Sequence, residues 1–262
     1  MDLGLRDRTA FVSGSTQGIG YAIARSLASE GARVTLNGRD RGRVDAAVRR
    51  LREELPGSAV SAVVADVADA GDASELLDVV GDADILINNA GVFGVADFQQ
   101  ITDAEWQRYF DVNVMSGVRL SRHALPRMID RGWGRIIFIG SESGVEVPAD
   151  MLHYGATKAA ALALSNGLAK LTLGTEVTVN SVLGGPTYSD GVAQAVEGIA
   201  AAQGVDVETL KAAIAASRTS LLSRFIEPTE IANLVLYLAS PLASATNGAA
   251  IRAEGGVLRT VL

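Results

Sequence analysis

Tyr154 and Lys158 are the two residues whose types and spacing suggest proton chemistry. They stand four apart in Tyr154-Gly155-Ala156-Thr157-Lys158. On a helix that spacing puts both side chains on one face, one turn apart. The alanine-rich run from Ala159 to Leu164 predicts such a helix. A phenol is a poor acid, with an ordinary pKa of about 10, and a nearby ammonium group lowers it. The pair could then give a proton to a carbonyl oxygen, or take one from an alcohol, near neutral pH. Lysine is scarce: Lys158, Lys170 and Lys211 are the only three in the chain. An exposed i,i+4 pair on an ordinary helix would have the same spacing, so the decision lies with the rest of the chain.

A second constellation is built for phosphate. Ser13-Gly14-Ser15-Thr16-Gln17-Gly18-Ile19-Gly20 follows the apolar run Thr9 to Val12 and precedes a helical run from Tyr21 to Glu30. Glycines there permit a tight turn and close backbone approach to a pyrophosphate. The helix N-terminus offers free N–H groups and the positive end of its dipole. The spacing is Gly-x-x-x-Gly-x-Gly rather than the commoner dinucleotide fingerprint.

These residues need a frame to hold them. Strands are predicted over 9–13, 34–37, 59–64, 85–88, 135–139, 177–182 and 249–252. Helices are predicted over 21–30, 40–55, 72–80, 103–131, 154–173 and 228–239, with two shorter ones over 191–202 and 207–217. Alternation of strand and helix implies a doubly wound α/β fold on a parallel sheet with right-handed crossovers. The chain reads as a single domain over 1–262. The alternation fails over 184–224, a helical segment after a strand end that is expected to be a lid over a substrate.

Composition narrows the function. The chain has 262 residues, 48% hydrophobic and 20% charged, with a net charge of −7. These are globular values, and no basic stripe suggests nucleic acid. The absence of cysteine excludes disulfides, thiolate metal sites and a cysteine nucleophile. His123 and His153 are the only histidines and lie far apart in sequence, which argues against a histidine metal site. No signal pattern or long apolar run is evident, so a cytoplasmic protein is expected.

With Tyr154, Lys158 and the glycine loop together, the chain resembles the short-chain dehydrogenase/reductase family, and in particular its 3-oxoacyl reductase-like members. The resemblance covers almost the whole length. It implies a Rossmann-type sheet of about seven strands in the order 3-2-1-4-5-6-7. It also implies catalytic roles for Ser141, thirteen residues before Tyr154, and for Asn113, which would place a water near Lys158. In that reading Ser141 holds the substrate carbonyl, Tyr154 is the acid or base, and Lys158 lowers the tyrosine pKa and binds the nicotinamide ribose.

The cofactor contacts implied are Gly14, Ser15, Thr16, Gln17, Gly18, Ile19 and Gly20 in the loop, and Asn37 and Arg39 after the second strand. Further on they are Asp66 and Val67, Asn89, Ala90 and Gly91, then Tyr154 and Lys158, then Gly185, Pro186, Thr187 and Ser189. Gly38 occupies the family's acidic position for the ribose 2′-hydroxyl and Arg39 follows it, so NADP(H) is expected over NAD(H). Gly184 stands where proline is usual, which should loosen the backbone entering the lid. His153 and Met151 are expected beside the pocket, with Trp106 and Trp133 as packing residues.

The resulting expectation is hydride transfer between a nicotinamide and a carbonyl or secondary alcohol. The alternatives are an epimerase or dehydratase on the same fold, or a non-catalytic NADP-sensing protein. Pairing through 103–131, 154–173 and the apolar tail Val257, Leu258, Val261 and Leu262 would give a homodimer or homotetramer.

Overall fold

The computed structural model describes residues 2–69, 74–217 and 220–261. Its strands are β1 (Thr9–Val12), β2 (Arg33–Gly38), β3 (Val60–Val64), β4 (Ile85–Asn88), β5 (Trp133–Ser141), β6 (Glu176–Gly184) and β7 (Ala250–Ala253). They form one sheet in the order β3-β2-β1-β4-β5-β6-β7, with every pairing parallel. The expected Rossmann-type order is therefore present.

Helices cover both faces: α1 (Gly18–Ser29), α2 (Arg41–Glu54), α3 (Ser74–Gly81), α4 (Asp103–Phe110), α5 (Ser116–Asp130), α6 (Leu152–Ala169), α7 (Asp190–Gln203), α8 (Val207–Ser217) and α9 (Pro228–Ala239). Successive strand residues feed opposite layers, as the period of two requires. Ala10, Val12, Ile85 and Ile87 pack with Ile23 and Leu27 of α1 and Ile231 and Val235 of α9. Phe11, Leu86, Ile136 and Phe138 pack with Val80 of α3 and Leu120, Ala124 and Met128 of α5. A sheet buried on both faces reads as near-continuous apolar runs, which is how β4 and β5 read. The expected start of α3 at 72 lies outside the described residues.

Three differences from the expected elements bear on function. The helix expected over 103–131 is not continuous. Thr102 caps α4 by accepting from the Glu105 N–H at 3.2 Å. Then Asp111–Met115 forms a π-helical turn before α5 begins. Such single-turn irregularities recur at functional sites, and this one carries Asn113. Gly184 is not loosened. It is the last residue of β6, in register with Ser141 on one side and Ala253 on the other. The segment beyond is also tied at its base, because Tyr188 N–H donates to Ile226 O and Ile226 N–H to Pro186 O, both at 2.8 Å.

The strand order reverses direction at β1, with β2 on one side and β4 on the other. Ligands of open α/β sheets bind in the crevice outside the carboxyl ends at such a switch point. Val12, Gly38, Val64, Asn88, Ser141 and Gly184, or the loops just after them, all meet at that edge.

Candidate active site

Ser141 ends β5 and enters a short 3-10 turn, Glu142–Gly144. Its Oγ accepts from the Ser143 N–H at 3.1 Å and donates to Glu142 Oε2 at 2.6 Å. Helix α6 packs directly on this turn. A Cβ on Gly155 would stand 2.7 Å from Ser143 O and 2.4 Å from Val147 Cγ1, so only glycine permits the approach. That approach brings Tyr154, the adjacent residue, into hydrogen-bonding reach of the Ser141 hydroxyl.

Burial pushes the Tyr154 phenol up to about 12. The Ser141 hydroxyl acts against that rise, while the charges of Glu142 and Tyr109 add to it. The expected lowering by Lys158 is absent from this balance. Lys158 Nζ lies 5.7 Å from the Tyr154 ring centroid and donates to Ile139 O at 2.8 Å. Burial pulls Lys158 down to about 8, with Glu142 pulling it back up. At about 8 Lys158 still carries its charge at pH 7, with its one hydrogen bond directed to Ile139 O rather than to the phenol.

Asn113 is buried on the π turn and has its amide fully engaged. Its Oδ1 accepts from Val92 N–H at 2.7 Å, and its Nδ2 donates to Val92 O at 3.0 Å and Thr157 Oγ1 at 2.9 Å. These bonds clamp the chain after β4 to α6. A Cβ on Gly91 would meet Asn113 Oδ1 at 3.4 Å and Lys158 Nζ at 3.7 Å, so both groups converge on that one residue.

The glycine loop lines a crevice of about 560 Å³ together with Asn37 to Asp40, Ala65 to Val67 and Asn89 to Phe93. Several residues expected to touch a cofactor also build the crevice. Asn37 Oδ1 accepts from Gly14 N–H, and its Nδ2 donates to Val63 O and Ala65 O. Ser15 Oγ donates to Val12 O and accepts from Asn37 N–H. Asn89 Nδ2 donates to Ser13 O and Gly14 O, both at 2.9 Å, locking the loop to the end of β4. Gln17 precedes α1 without a side-chain cap, so the first turn of that helix presents N–H groups to the crevice.

At the far end, a Cβ on Gly38 would stand 2.7 Å from Thr16 Cγ2. An acidic side chain has no room there. Arg39 and Arg43 both line this end. Arg39 Nη1 lies 3.9 Å from Asp66 Oδ2, a surface pair of small energetic weight. Asp40 does not pair with Arg39; it caps α2 by accepting from the Arg43 N–H at 2.8 Å. The donor set, with a helix N-terminus, two guanidinium groups and no carboxylate at Gly38, fits a dinucleotide carrying an extra phosphate.

A smaller cavity of about 180 Å³ adjoins the crevice through Ile19, Phe93 and Ser189, which line both. Ser141, Tyr154 and Met151 open onto it, as do Gly185, Pro186 and Thr187, with Phe225 and Val192 from the lid side. Thr187 Oγ1 donates to Gly185 O at 2.8 Å. His153 does not line it. It is buried against Tyr109, ring centroids 4.0 Å apart, and burial lowers its pKa. Trp133 does pack, under Arg8 and the buried Arg135.

Sequence reasoning missed Glu142, Arg43 and Asp190. Glu142 stands beside Ser141. Arg43 is in the first turn of α2, one turn from Arg39. Asp190 begins α7 yet accepts from the Gly18 N–H, 172 residues away. Of these, only the adjacency of Glu142 to Ser141 was a signal open to local reading.

The family model for short chain dehydrogenase matches residues 8–200. The chain belongs to the short-chain dehydrogenase family. It is 46% identical to the uncharacterized oxidoreductase YvrD of Bacillus subtilis over 100% of both chains. It is 34% identical to a D-beta-hydroxybutyrate dehydrogenase of Rhizobium meliloti, covering 95% of this chain and 98% of that one. L-sorbose reductase from Gluconobacter frateurii, solved with NADPH and L-sorbose, matches with a TM-score of 0.93 and 33% identity over 100% of both chains. As a short-chain dehydrogenase family member, this chain is an oxidoreductase. Among the described residues no helix is long and apolar enough to cross a membrane, and no acidic, histidine or cysteine cluster could hold a metal ion.

Proposed function

We propose that this short-chain dehydrogenase moves a hydride between NADP(H) and a carbonyl or secondary alcohol, with Tyr154 as general acid or base. The observation that carries the reading is the meeting of the Ser141 and Tyr154 hydroxyls in a cavity that adjoins the phosphate-binding crevice. The nicotinamide, when bound, supplies or accepts the hydride. The chain does the rest. The α1 N-terminus and loop residues 14–20 hold the pyrophosphate, and Arg39 and Arg43 hold the 2′-phosphate. Asp66, Val67 and Asn89 to Gly91 line the adenosine side, and Gly185 to Ser189 the nicotinamide side. Held well above neutral by burial, Tyr154 keeps its proton at pH 7 and donates it to the carbonyl oxygen in reduction. Lys158 steadies the phenolate that results, and Asn113 fixes the chain on which both stand. The segment 184–224 serves as the lid of a single dinucleotide-binding domain.

Turnover with NADPH and with NADH tests this, in the wild type and in Tyr154→Phe. NADPH is expected to be favoured, and the variant to bind cofactor normally while losing at least about a thousandfold in kcat. Surviving activity in the variant would remove Tyr154 from the mechanism. No net NADPH consumption with any carbonyl would favour an epimerase, a dehydratase or a sensor.

We also propose a homo-oligomer, dimer or tetramer. Leu171 and Leu173, just beyond α6, are exposed, as is Val261 in the tail. Leu258 is already buried within the protomer, and Leu262 lies outside the described residues. Light scattering that returned the monomer mass of 27.2 kDa would refute this.

A further inference from the structure

The small cavity at Tyr154 contains one charged side chain among its described lining residues, and that is Glu142. No lysine, arginine or histidine lines it. Glu142 is 9% exposed, so its carboxylate is largely withdrawn from water. Burying a carboxylate is costly unless its oxygens are well satisfied. Here they are satisfied unevenly. Oε2 accepts from the Ser141 hydroxyl at 2.6 Å, a short charge-assisted bond. Oε1 stands 3.4 Å from Ser143 Oγ, long for a hydroxyl donor. One carboxylate oxygen therefore has only a long bond, on a residue that lines the cavity where the substrate must sit.

Two consequences meet at this group. First, a substrate carrying a carboxylate or phosphate near its carbonyl would face an uncompensated like charge in a desolvated cavity. Second, the Ser141 proton is committed to Glu142, so it is not free for a substrate carbonyl. A hydroxyl on the carbon next to the carbonyl resolves both. It donates to the Glu142 carboxylate, and the Ser141 proton is released to the carbonyl oxygen beside Tyr154. The carbonyl and hydroxyl oxygens of an α-hydroxy ketone are spaced about as a hydrogen-bonded pair, which matches the Ser141–Glu142 pair they address. We propose that Glu142 determines specificity, selecting neutral α-hydroxy ketones, or the corresponding vicinal diols, against plain ketones and against keto acids. This rests on the oxidoreductase reading above and names the substrate class of that same site.

Three compounds that differ only at one end group test it: 1-hydroxybutan-2-one, pentan-3-one and 2-oxobutanoate. Their dissociation constants are measured by ligand-observed NMR on the protein saturated with NADP+, where no turnover occurs. The wild type is expected to bind the hydroxy ketone roughly tenfold or more tighter than either competitor, the fold-change of one hydrogen bond to a charged acceptor. Glu142→Gln should shrink both gaps to about threefold or less. Glu142→Asp, which keeps the charge and shortens the reach, should lose the hydroxyl preference and still reject 2-oxobutanoate. Equal binding of all three by the wild type, no binding of any, or an unchanged ranking in Glu142→Gln would each overturn the assignment. NADPH oxidation is followed separately with the same compounds. If the binding ranking holds but no NADPH is consumed, the oxidoreductase reading fails and the assignment of Glu142 stands.

Discussion

Lys158 keeps its charge against its surroundings. Burial lowers it from 10.5 to about 8, and its Nζ donates to one carbonyl, Ile139 O, at 2.8 Å. A group depressed by folding contributes stability above its unfolded pKa and loses it as the pH falls through the folded value. The window here runs from 10.5 down to about 8. Lys158→Met removes that dependence. Relative to wild type, it is expected to be on the order of 1–3 kcal/mol more stable at pH 7 than at pH 10.5. Chemical denaturation of both proteins at the two pH values checks this, and a difference that does not change with pH would contradict it. The group proposed to steady the Tyr154 phenolate is thus one that weakens the fold at neutral pH. The Tyr154–Lys158 spacing was legible in the sequence because four residues on a helix share a face wherever the helix lies. The state of each group was not, because it depends on Glu142, Ile139 and burial, which no local pattern encodes.

Elements decide how firmly those residues are held. The 3-10 turn after β5 and the first turns of α6 touch through backbone, at Gly155 against Ser143 O and at Gly144, whose Cβ would stand 2.9 Å from Ala159 N. Backbone contact leaves no flexible side chain between Ser141 and Tyr154, so their separation is set by main-chain geometry. Alternating apolar runs and glycine-rich turns made the strands and their order readable. The π turn at Asp111–Met115 was not readable. A residue pattern over 103–131 is continuous, and the irregularity follows from partners far along the chain: Val92 and Thr157, both bonded by Asn113. Gly184 misled for the same reason. Glycine suggests a loose joint, yet β5 and β7 hold it from both sides.

At the scale of the whole molecule, the carboxyl edge of the sheet gathers residues from Gly14 to Phe225 into two adjoining cavities. One hydrogen bond spans most of that stretch. Asp190, the first residue of α7, accepts from the Gly18 N–H at the head of α1. An anion that is to reach the Gly18 N–H must therefore take over a donor already in use, next to a carboxylate of its own sign. Binding there is an exchange of acceptors, and the bond that Asp190 gives up is subtracted from the affinity gained. Asp190→Ala is expected to tighten NADPH binding about three- to tenfold, as read by quenching or transfer in a fluorescence titration. Weaker binding by the variant would mean that Asp190 helps to hold the cofactor. The exchange also sets a sequence of events. Once Gly18 is taken, the leading end of α7 loses its tether, so the wall of the smaller cavity is free to adjust only after the larger one is filled. In kinetic language the enzyme should be ordered, with the nucleotide first on and last off.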